Sequence, residues 1–146
     1  MIDYEEYAEM LRKITPKYVE AIFPVAECPV PLTGESIKNF LSECKSVLIC
    51  AATLGGEFDR LLRQLQITDM AGAVILDSMA GEKLENFCNE KNGTSRRYSP
   101  GYGDFPLSVN RNIIDVLNTS KHIGLCTTDD YILTPQKSIT GLVNIK

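Results

Sequence analysis

A turn-rich segment at residues 97–107, RYSPGYGDFPL, is the feature that most constrains how this chain folds. Its two prolines lack a backbone donor and its two glycines accept positive φ, so the segment cannot continue a helix or a central strand. It therefore predicts a sharply held loop that carries one fixed cation, Arg97, and one aromatic ring, Tyr102. Two interpretations fit these residue types. The loop either positions functional groups or turns a corner, with the tyrosine at the core edge and the arginine paired with a surface acid.

The composition indicates one globular domain over residues 1–146. Hydrophobic residues make up 44% of the 146 positions, enough for a substantial core. The 15 basic and 19 acidic residues give a net charge of −4 without a basic tract, which argues against a nucleic-acid partner. No apolar run reaches the roughly 18 residues that span a bilayer, and the first residues lack the pattern of a secretory signal. We therefore expect a cytoplasmic protein without a membrane segment.

The five cysteines are not spaced as metal ligands. No CxxC pair occurs and the chain has one histidine, so the spacing typical of zinc sites is missing from the sequence. Cys50 and Cys126 lie in apolar runs, and we expect both as reduced thiols packed in the core.

Hydrophobic periodicity predicts a chain in which helices and strands are mixed. The run 47–52 is apolar on both faces, so we expect a buried central strand there. The order of elements indicates an α+β fold, a single domain with a mixed/antiparallel sheet packed with helices. Helices are expected at residues 3–13, directly after Gly34, after Gly55 and Gly56, and at 69–89 and 108–117, and strands at 17–25, 47–52 and in the β-prone runs 123–127, 131–133 and 138–145.

The long helix predicted at residues 69–89 combines small residues with carboxylates. Its alanines and glycines have small side chains, so another element can approach the helix backbone closely. Glu82 lies on this helix with Asp77 and Glu85 nearby. Such carboxylates form either a solvated face or an acidic contact for a ligand.

Two motifs carry a resemblance to a known family. Arg97-x-x-x-Gly101-Tyr102 is followed at matching spacing by Ser138-x-Thr140-Gly141, with a Thr-Leu-Gly-Gly-Glu run at residues 53–57 as further support. Over about residues 15–146 the sequence resembles the activation (reactivation) domain of cobalamin-dependent methionine synthase, especially its stand-alone bacterial relatives.

The resemblance implies a specific ligand and specific partners. Family members bind S-adenosylmethionine in a shallow groove and present it to cobalamin on another domain. When that cofactor is accidentally oxidised to cob(II)alamin, an electron from a flavodoxin-type donor and the methyl group of S-adenosylmethionine restore methylcobalamin. For this chain the resemblance implies a stand-alone activation subunit, which reaches cobalamin only through a cobalamin-binding methionine synthase protein. It implies no resident metal and no catalytic residue of the chain's own.

The same resemblance assigns S-adenosylmethionine-binding residues by position. Arg97 matches the arginine on the methionine carboxylate, and Ser99 matches the position whose backbone meets the adenine. Gly101 belongs to the same motif. Tyr102 matches the aromatic residue near the ligand or corrin, and Glu82 matches a helix acid near the polar end of the ligand. Charge-assisted bonds and a flat aromatic face suit these roles.

An alternative function remains open at this stage. Longer family members contact the ligand through an acid in an Asp-Trp context and through a tyrosine beyond the position of Gly141, and neither has a match here. A chain without these contacts is also consistent with a non-catalytic binding or regulatory module that keeps the fold but has lost S-adenosylmethionine. Elements that close the sheet in longer relatives are likewise unmatched, so we expect self-association, with a dimer favoured.

Overall fold

A computed structural model describes residues 3–145 of the chain. A single 3₁₀ turn at Val25–Glu27 follows the first strand. Within the described residues the elements, in chain order, are α1 (Tyr4–Arg12), β1 (Lys17–Pro24), α2 (Glu35–Phe40), β2 (Ser46–Thr53), α3 (Gly56–Thr68), α4 (Met70–Asn92), α5 (Val109–Leu117), α6 (Thr119–His122), β3 (Cys126–Thr127), β4 (Leu133–Thr134) and β5 (Ser138–Ile145).

The centre of the fold is an antiparallel sheet in the order β1-β2-β5. Strand β2 pairs with β1 from Lys17↔Thr53 onward and with β5 from Ser46↔Ile145 onward. Every residue of β2 after Ser46 is buried. The strand is covered on both faces because its side chains are apolar on both, which confirms the buried central strand expected at residues 47–52.

Helices cover both faces of this sheet and create two main cores. On one face, Val47 and Ile49 of β2 pack with Ile37 of α2 and Ile113 of α5. On the other face, Ala52 of β2 belongs to the core formed with α1, α3 and α4. Because successive side chains of a strand point to opposite faces, one apolar strand serves both cores. The expected α+β domain is confirmed.

The C-terminal third differs in detail from the sequence-based expectation. The β-prone runs 123–127 and 131–133 do not join the central sheet; β3 and β4 form a separate two-stranded ribbon. The short helix α6 was not predicted. Cys126 is exposed rather than in the core, because its neighbour Leu125 takes the inward position and alternation turns the thiol outward. Cys50 is buried as expected.

Helix α4 follows its prediction and extends three residues beyond it, to Asn92. Gly93 then adopts φ 75° and ends the helix in the left-handed conformation that glycine favours. The chain leaves this end of α4 close to β5, which places the 97–107 segment beside the central sheet. None of the helices within residues 3–145 is both long and apolar enough to cross a membrane.

Candidate functional site

The segment at residues 97–107, here called the binding loop, begins beside the central sheet, where it pairs with the edge strand β5. Tyr98 forms a bridge with Leu142 of β5, and the two residues exchange backbone hydrogen bonds of 2.8 Å in both directions. Ser99 adds a hydroxyl bond of 2.7 Å to the carbonyl of Thr140. Gly141 permits this approach, because a Cβ there would lie 3.3 Å from the Ser99 hydroxyl oxygen and 3.4 Å from the Tyr98 carbonyl. The two sequence motifs therefore meet side by side.

The rest of the binding loop folds back on itself in tight turns. Gly101 adopts φ +95°, a conformation that other residues rarely take, and its N–H donates to the carbonyl of Phe105 at 2.8 Å. The Tyr102 N–H donates to the Ser99 carbonyl at 3.1 Å. Phe105 is 1% exposed and anchors the loop in the core. Gly101 shapes the loop, and it is the following residue, Tyr102, whose side chain lines the groove described below.

Aromatic contacts support the tip of the binding loop from beneath. Tyr98 packs against Phe40 of α2 at 5.3 Å between ring centroids. The ring of Tyr102 meets Tyr98 edge-on at 5.6 Å, yet Tyr102 remains 53% exposed. An exposed aromatic ring that packs on a partly buried one is held in place while its remaining surface is accessible to a ligand.

The binding loop forms one wall of a groove with a cavity volume of about 460 Å³. The opposite wall comes from the β3–β4 ribbon and the segment after it, and β5 supplies the floor. The groove is lined by Glu85, Ser95, Arg97, Ser99, Pro100, Tyr102, Leu107, Asn110, Tyr131, Ile132, Leu133, Gln136, Ser138, Ile139 and Thr140. Three of the five residues that the resemblance assigns to the ligand, Arg97, Ser99 and Tyr102, thus line one cavity.

Arg97 lies at one end of this groove in a dense set of polar contacts. Its guanidinium donates to the side-chain oxygens of Asn89 at 2.8 Å and Asn92 at 3.2 Å, and it forms an ion pair with Glu85. The side chain of Arg97 is only 5% exposed, whereas that of Glu85 is 54% exposed. The arginine is therefore a rigid, oriented cation whose carboxylate partner faces solvent.

A partly buried polar network continues inward from Arg97. Asn92 donates to the Tyr18 hydroxyl, and its side-chain oxygen also accepts a weak bond from the Cys50 thiol at 3.8 Å. Burial raises the pKa of Cys50 to about 12 and that of Cys88 to about 11, so both thiols are protonated at neutral pH. Burial also raises the pKa of Tyr18. The network supports the orientation of Arg97 and carries no free nucleophile.

Glu82 does not reach the groove. It is exposed on α4 and lines a separate shallow depression with Arg12 of α1. Glu85, one turn further on, is the carboxylate that meets Arg97. The sequence holds a signal for this set, because Glu85, Asn89 and Asn92 have i, i+4, i+7 spacing and share one face of the helix directly before the binding loop.

Sequence reasoning missed two residues that line the groove, Asn110 of α5 and Tyr131 between β3 and β4. Asn110 is 4% exposed; it accepts a bond of 2.6 Å from the Thr140 hydroxyl and donates a bond of 3.0 Å to the backbone carbonyl of Tyr131. Tyr131 has φ 66°, an unusual value for a residue with a side chain. Its ring lies 5.7 Å from the Arg111 guanidinium. The available sequence signal was the spacing of Asn110, which shares the apolar face of the amphipathic helix α5 with Ile113 and Ile114.

Asp104 fastens the binding loop to α2. Its carboxylate accepts backbone bonds from Glu35 at 2.7 Å and Ser36 at 2.9 Å, and a further bond from the Ser36 hydroxyl. These bonds favour the ionised form and lower the pKa of Asp104 to about 2. The loop is thus tied to the sheet at its start and to α2 in its middle.

The fold and groove define an α+β domain whose binding loop and β-ribbon enclose a cleft on the edge strand of an antiparallel sheet. Comparison with solved structures identifies a chain of this class, the MetH reactivation domain bound to AdoHcy, with a TM-score of 0.70 and 15% sequence identity. The match covers 95% of this chain and 63% of that chain, so the chain described here spans less than two thirds of it. The chain has the fold of the MetH reactivation domain. No family model and no curated protein sequence matches.

Proposed function

We propose that the groove binds S-adenosylmethionine and that the chain serves as a cytoplasmic activation subunit for a cobalamin-binding methionine synthase protein. One observation carries the proposal. The Arg97–Tyr102 motif and the Ser138–Gly141 motif, which carry the resemblance, lie side by side in the structure and line one groove. Support also comes from the fold, since the MetH reactivation domain that shares it was solved with AdoHcy bound.

The charges at the Arg97 end of the groove complement the amino-acid part of this ligand. S-adenosylmethionine carries a carboxylate and an ammonium on the same carbon. The Arg97 guanidinium suits the carboxylate, and the half-exposed Glu85 carboxylate suits the ammonium. Glu85 therefore takes the acidic role that the resemblance gave to Glu82. The tyrosine rings and apolar side chains elsewhere in the groove suit the flat nucleoside part.

The residues of this chain would bind and orient, while the reaction takes place on the partner. When bound, S-adenosylmethionine would supply the methyl group for reductive remethylation of cob(II)alamin held by the partner protein, with one electron from a flavodoxin-type donor, and would leave as S-adenosylhomocysteine. Tyr102, exposed at the tip of the loop, is placed to contact the ligand or the approaching corrin. Arg97 and Glu85 would fix the amino-acid end so that the methyl group points outward.

Binding is tested by calorimetry with S-adenosylmethionine and S-adenosylhomocysteine, alone and with a cobalamin-binding partner domain. We expect Tyr102→Ala to weaken binding about threefold to tenfold, because the variant loses one aromatic contact. Tyr4→Ala is the matched control, since Tyr4 is 59% exposed on α1 and outside the groove. No binding heat from the unsubstituted chain in any mixture contradicts the proposal.

Arg97 permits a second test against its neighbour. Arg97→Ala is expected to lower affinity at least ~10-fold, since loss of a charge-assisted bond costs about 1.5–3 kcal/mol. The exposed Arg96 carries the same charge next to it, so Arg96→Ala should bind like the unsubstituted chain. Arg97→Lys should recover little, because an ammonium cannot make two parallel bonds. Melting temperatures recorded in parallel separate lost binding from lost folding.

One observation favours the alternative, a binding or regulatory module without S-adenosylmethionine. The Arg97 guanidinium already bonds Glu85, Asn89 and Asn92, which is the arrangement expected of an arginine that only supports a corner. Glu85→Gln separates the two functions, because it removes the negative charge that pairs with Arg97 while the side chain keeps nearly the same shape. A ligand-binding groove then loses affinity for the ligand ammonium, whereas a purely structural arginine changes stability alone.

A further inference from the structure

We infer that Tyr131 is a ligand-contact residue whose ring packs against the adenine base of the S-adenosyl ligand, and that Asn110 is the residue that positions it. The inference rests on the proposed function and adds to it the far wall of the groove. Neither residue belongs to the motifs that carry the family resemblance.

The first argument is the backbone of Tyr131. Its φ of 66° lies in the left-handed region, which is unfavourable for a tyrosine and which glycine would occupy without that cost. Strained residues of this kind cluster where a side chain must be presented to a ligand. A tyrosine at a position that favours glycine therefore indicates a use for its ring.

The second argument is how the structure holds this conformation. Asn110 is almost fully buried, and its amide donates 3.0 Å to the Tyr131 carbonyl while its oxygen accepts from Thr140. The Tyr131 N–H donates 3.0 Å to the Thr128 carbonyl. A buried amide with its donor and acceptor both engaged fixes the Tyr131 backbone relative to β5, the floor of the groove.

The third argument concerns which part of the Tyr131 ring is accessible to a ligand in the groove. Arg111 covers one face of the Tyr131 ring at 5.7 Å from its centroid, and Arg111 does not line the groove. Tyr131 does line the groove, with the apolar Ile132 and Leu133 beside it and Tyr102 on the opposite wall. A ring backed by a cation and flanked by apolar side chains suits a flat, neutral heterocycle such as adenine.

The test separates the ring from the backbone with two substitutions. Tyr131→Ala and Tyr131→Gly both remove the ring, but only alanine retains the cost of positive φ. We expect both to weaken binding of S-adenosylhomocysteine about threefold to tenfold. We also expect Tyr131→Gly to melt about 2–4 °C above Tyr131→Ala. Tyr131→Phe should bind like the unsubstituted chain, because it retains the ring face.

Glu43 provides the matched control. It has φ 65°, is exposed and lies outside the groove, so Glu43→Gly should melt above Glu43→Ala by a similar margin without a change in affinity. Adenosine serves as a further probe, since it contains the base without the amino-acid part. The loss caused by Tyr131→Ala should be equal for adenosine, S-adenosylmethionine and S-adenosylhomocysteine.

The outcomes distinguish this inference from the proposed function. An unsubstituted chain that binds no S-adenosyl compound overturns both. An unsubstituted chain that binds, with Tyr131→Ala binding equally well, overturns the inference alone. If Tyr131→Ala loses affinity for S-adenosylmethionine alone, the assignment to adenine is overturned, because only that ligand carries the sulfonium cation. Equal melting temperatures for the glycine and alanine variants overturn the claim that Tyr131 is held at a cost.

Discussion

Asp104 shows how one carboxylate can set the shape of a binding loop. Its three bonds to Glu35 and Ser36 require the ionised form, which is why its pKa falls to about 2. A carboxyl group with a lowered folded-state pKa contributes stability above its unfolded pKa and loses that contribution as the pH falls through the folded value. The bonds that Asp104 accepts from Glu35 and Ser36 should therefore persist at neutral pH. They should be lost as the carboxylate is protonated between about pH 4 and pH 2.

We expect Asp104→Asn to reproduce at neutral pH the loosening that acid causes in the unsubstituted chain. Amide hydrogen exchange at Ser36 and Phe105, whose N–H groups are hydrogen-bonded, should be faster at pH 6 in Asp104→Asn, while exchange in β2 stays unchanged. Asp130→Asn, which alters an exposed aspartate outside the groove, is the control. Equal protection of the loop in both variants would show that the fastening does not depend on the Asp104 charge.

At the residue scale the sequence identified the binding loop but not all of its neighbours. Arg97 and Tyr102 are recognisable because the turn-rich segment isolates a cation and an aromatic ring. Glu82 and Glu85 lie three residues apart on one helix, and only the rotation of α4 against the sheet decides which one faces Arg97. Tyr131 could not be found, because the role proposed for it depends on a backbone angle and on a contact with Asn110 across the fold.

At the scale of elements, close packing of α4 depends on its small residues. Ala80 is fully buried in the core formed with α1, α3 and the sheet. We expect Ala80→Leu to lower the free energy of unfolding by about 1–3 kcal/mol, because extra methylene groups do not fit a well-packed core. Ala71→Leu is the control, since Ala71 is exposed on the same helix. Urea unfolding followed by circular dichroism gives both values, and similar stabilities would contradict the packing argument.

Periodicity predicted the long elements better than the short ones. Strand β2 and helix α4 carry enough apolar residues in a regular pattern to define their own type. The ribbon strands β3 and β4 contain two residues each, and α6 contains four. Such short elements are stabilised by tertiary contacts, such as the Thr119 hydroxyl bond to the Leu125 carbonyl at 2.7 Å, and not by a pattern of their own.

At the scale of the whole molecule, the dimer expected from the sequence stays a prediction. Among the described strands β1 pairs only with β2, so its other edge has unpaired backbone groups. Light scattering over a wide concentration range should give a mass near twice 16.2 kDa at the upper end. A constant mass of 16.2 kDa at every concentration would show that this edge is tolerated in a monomer.

The groove itself is a property of the whole molecule. Its walls come from the binding loop and from the β3–β4 ribbon, and its floor comes from β5. Sequence patterns predict that such segments exist, but not which of them become neighbours. The resemblance identified the loop and the Ser138–Gly141 motif as parts of one family pattern, but their adjacency and the ribbon wall are seen only in the folded chain.

The binding loop is held in place by contacts within the chain itself. The Tyr98–Leu142 bridge, the Asp104 bonds and the buried Phe105 ring hold it from three directions. A ligand that enters such a groove does not have to order the polypeptide around it, so little conformational entropy is lost on association. Under the function proposed above, compounds that share the S-adenosyl scaffold would associate at similar rates and differ mainly in how slowly they dissociate.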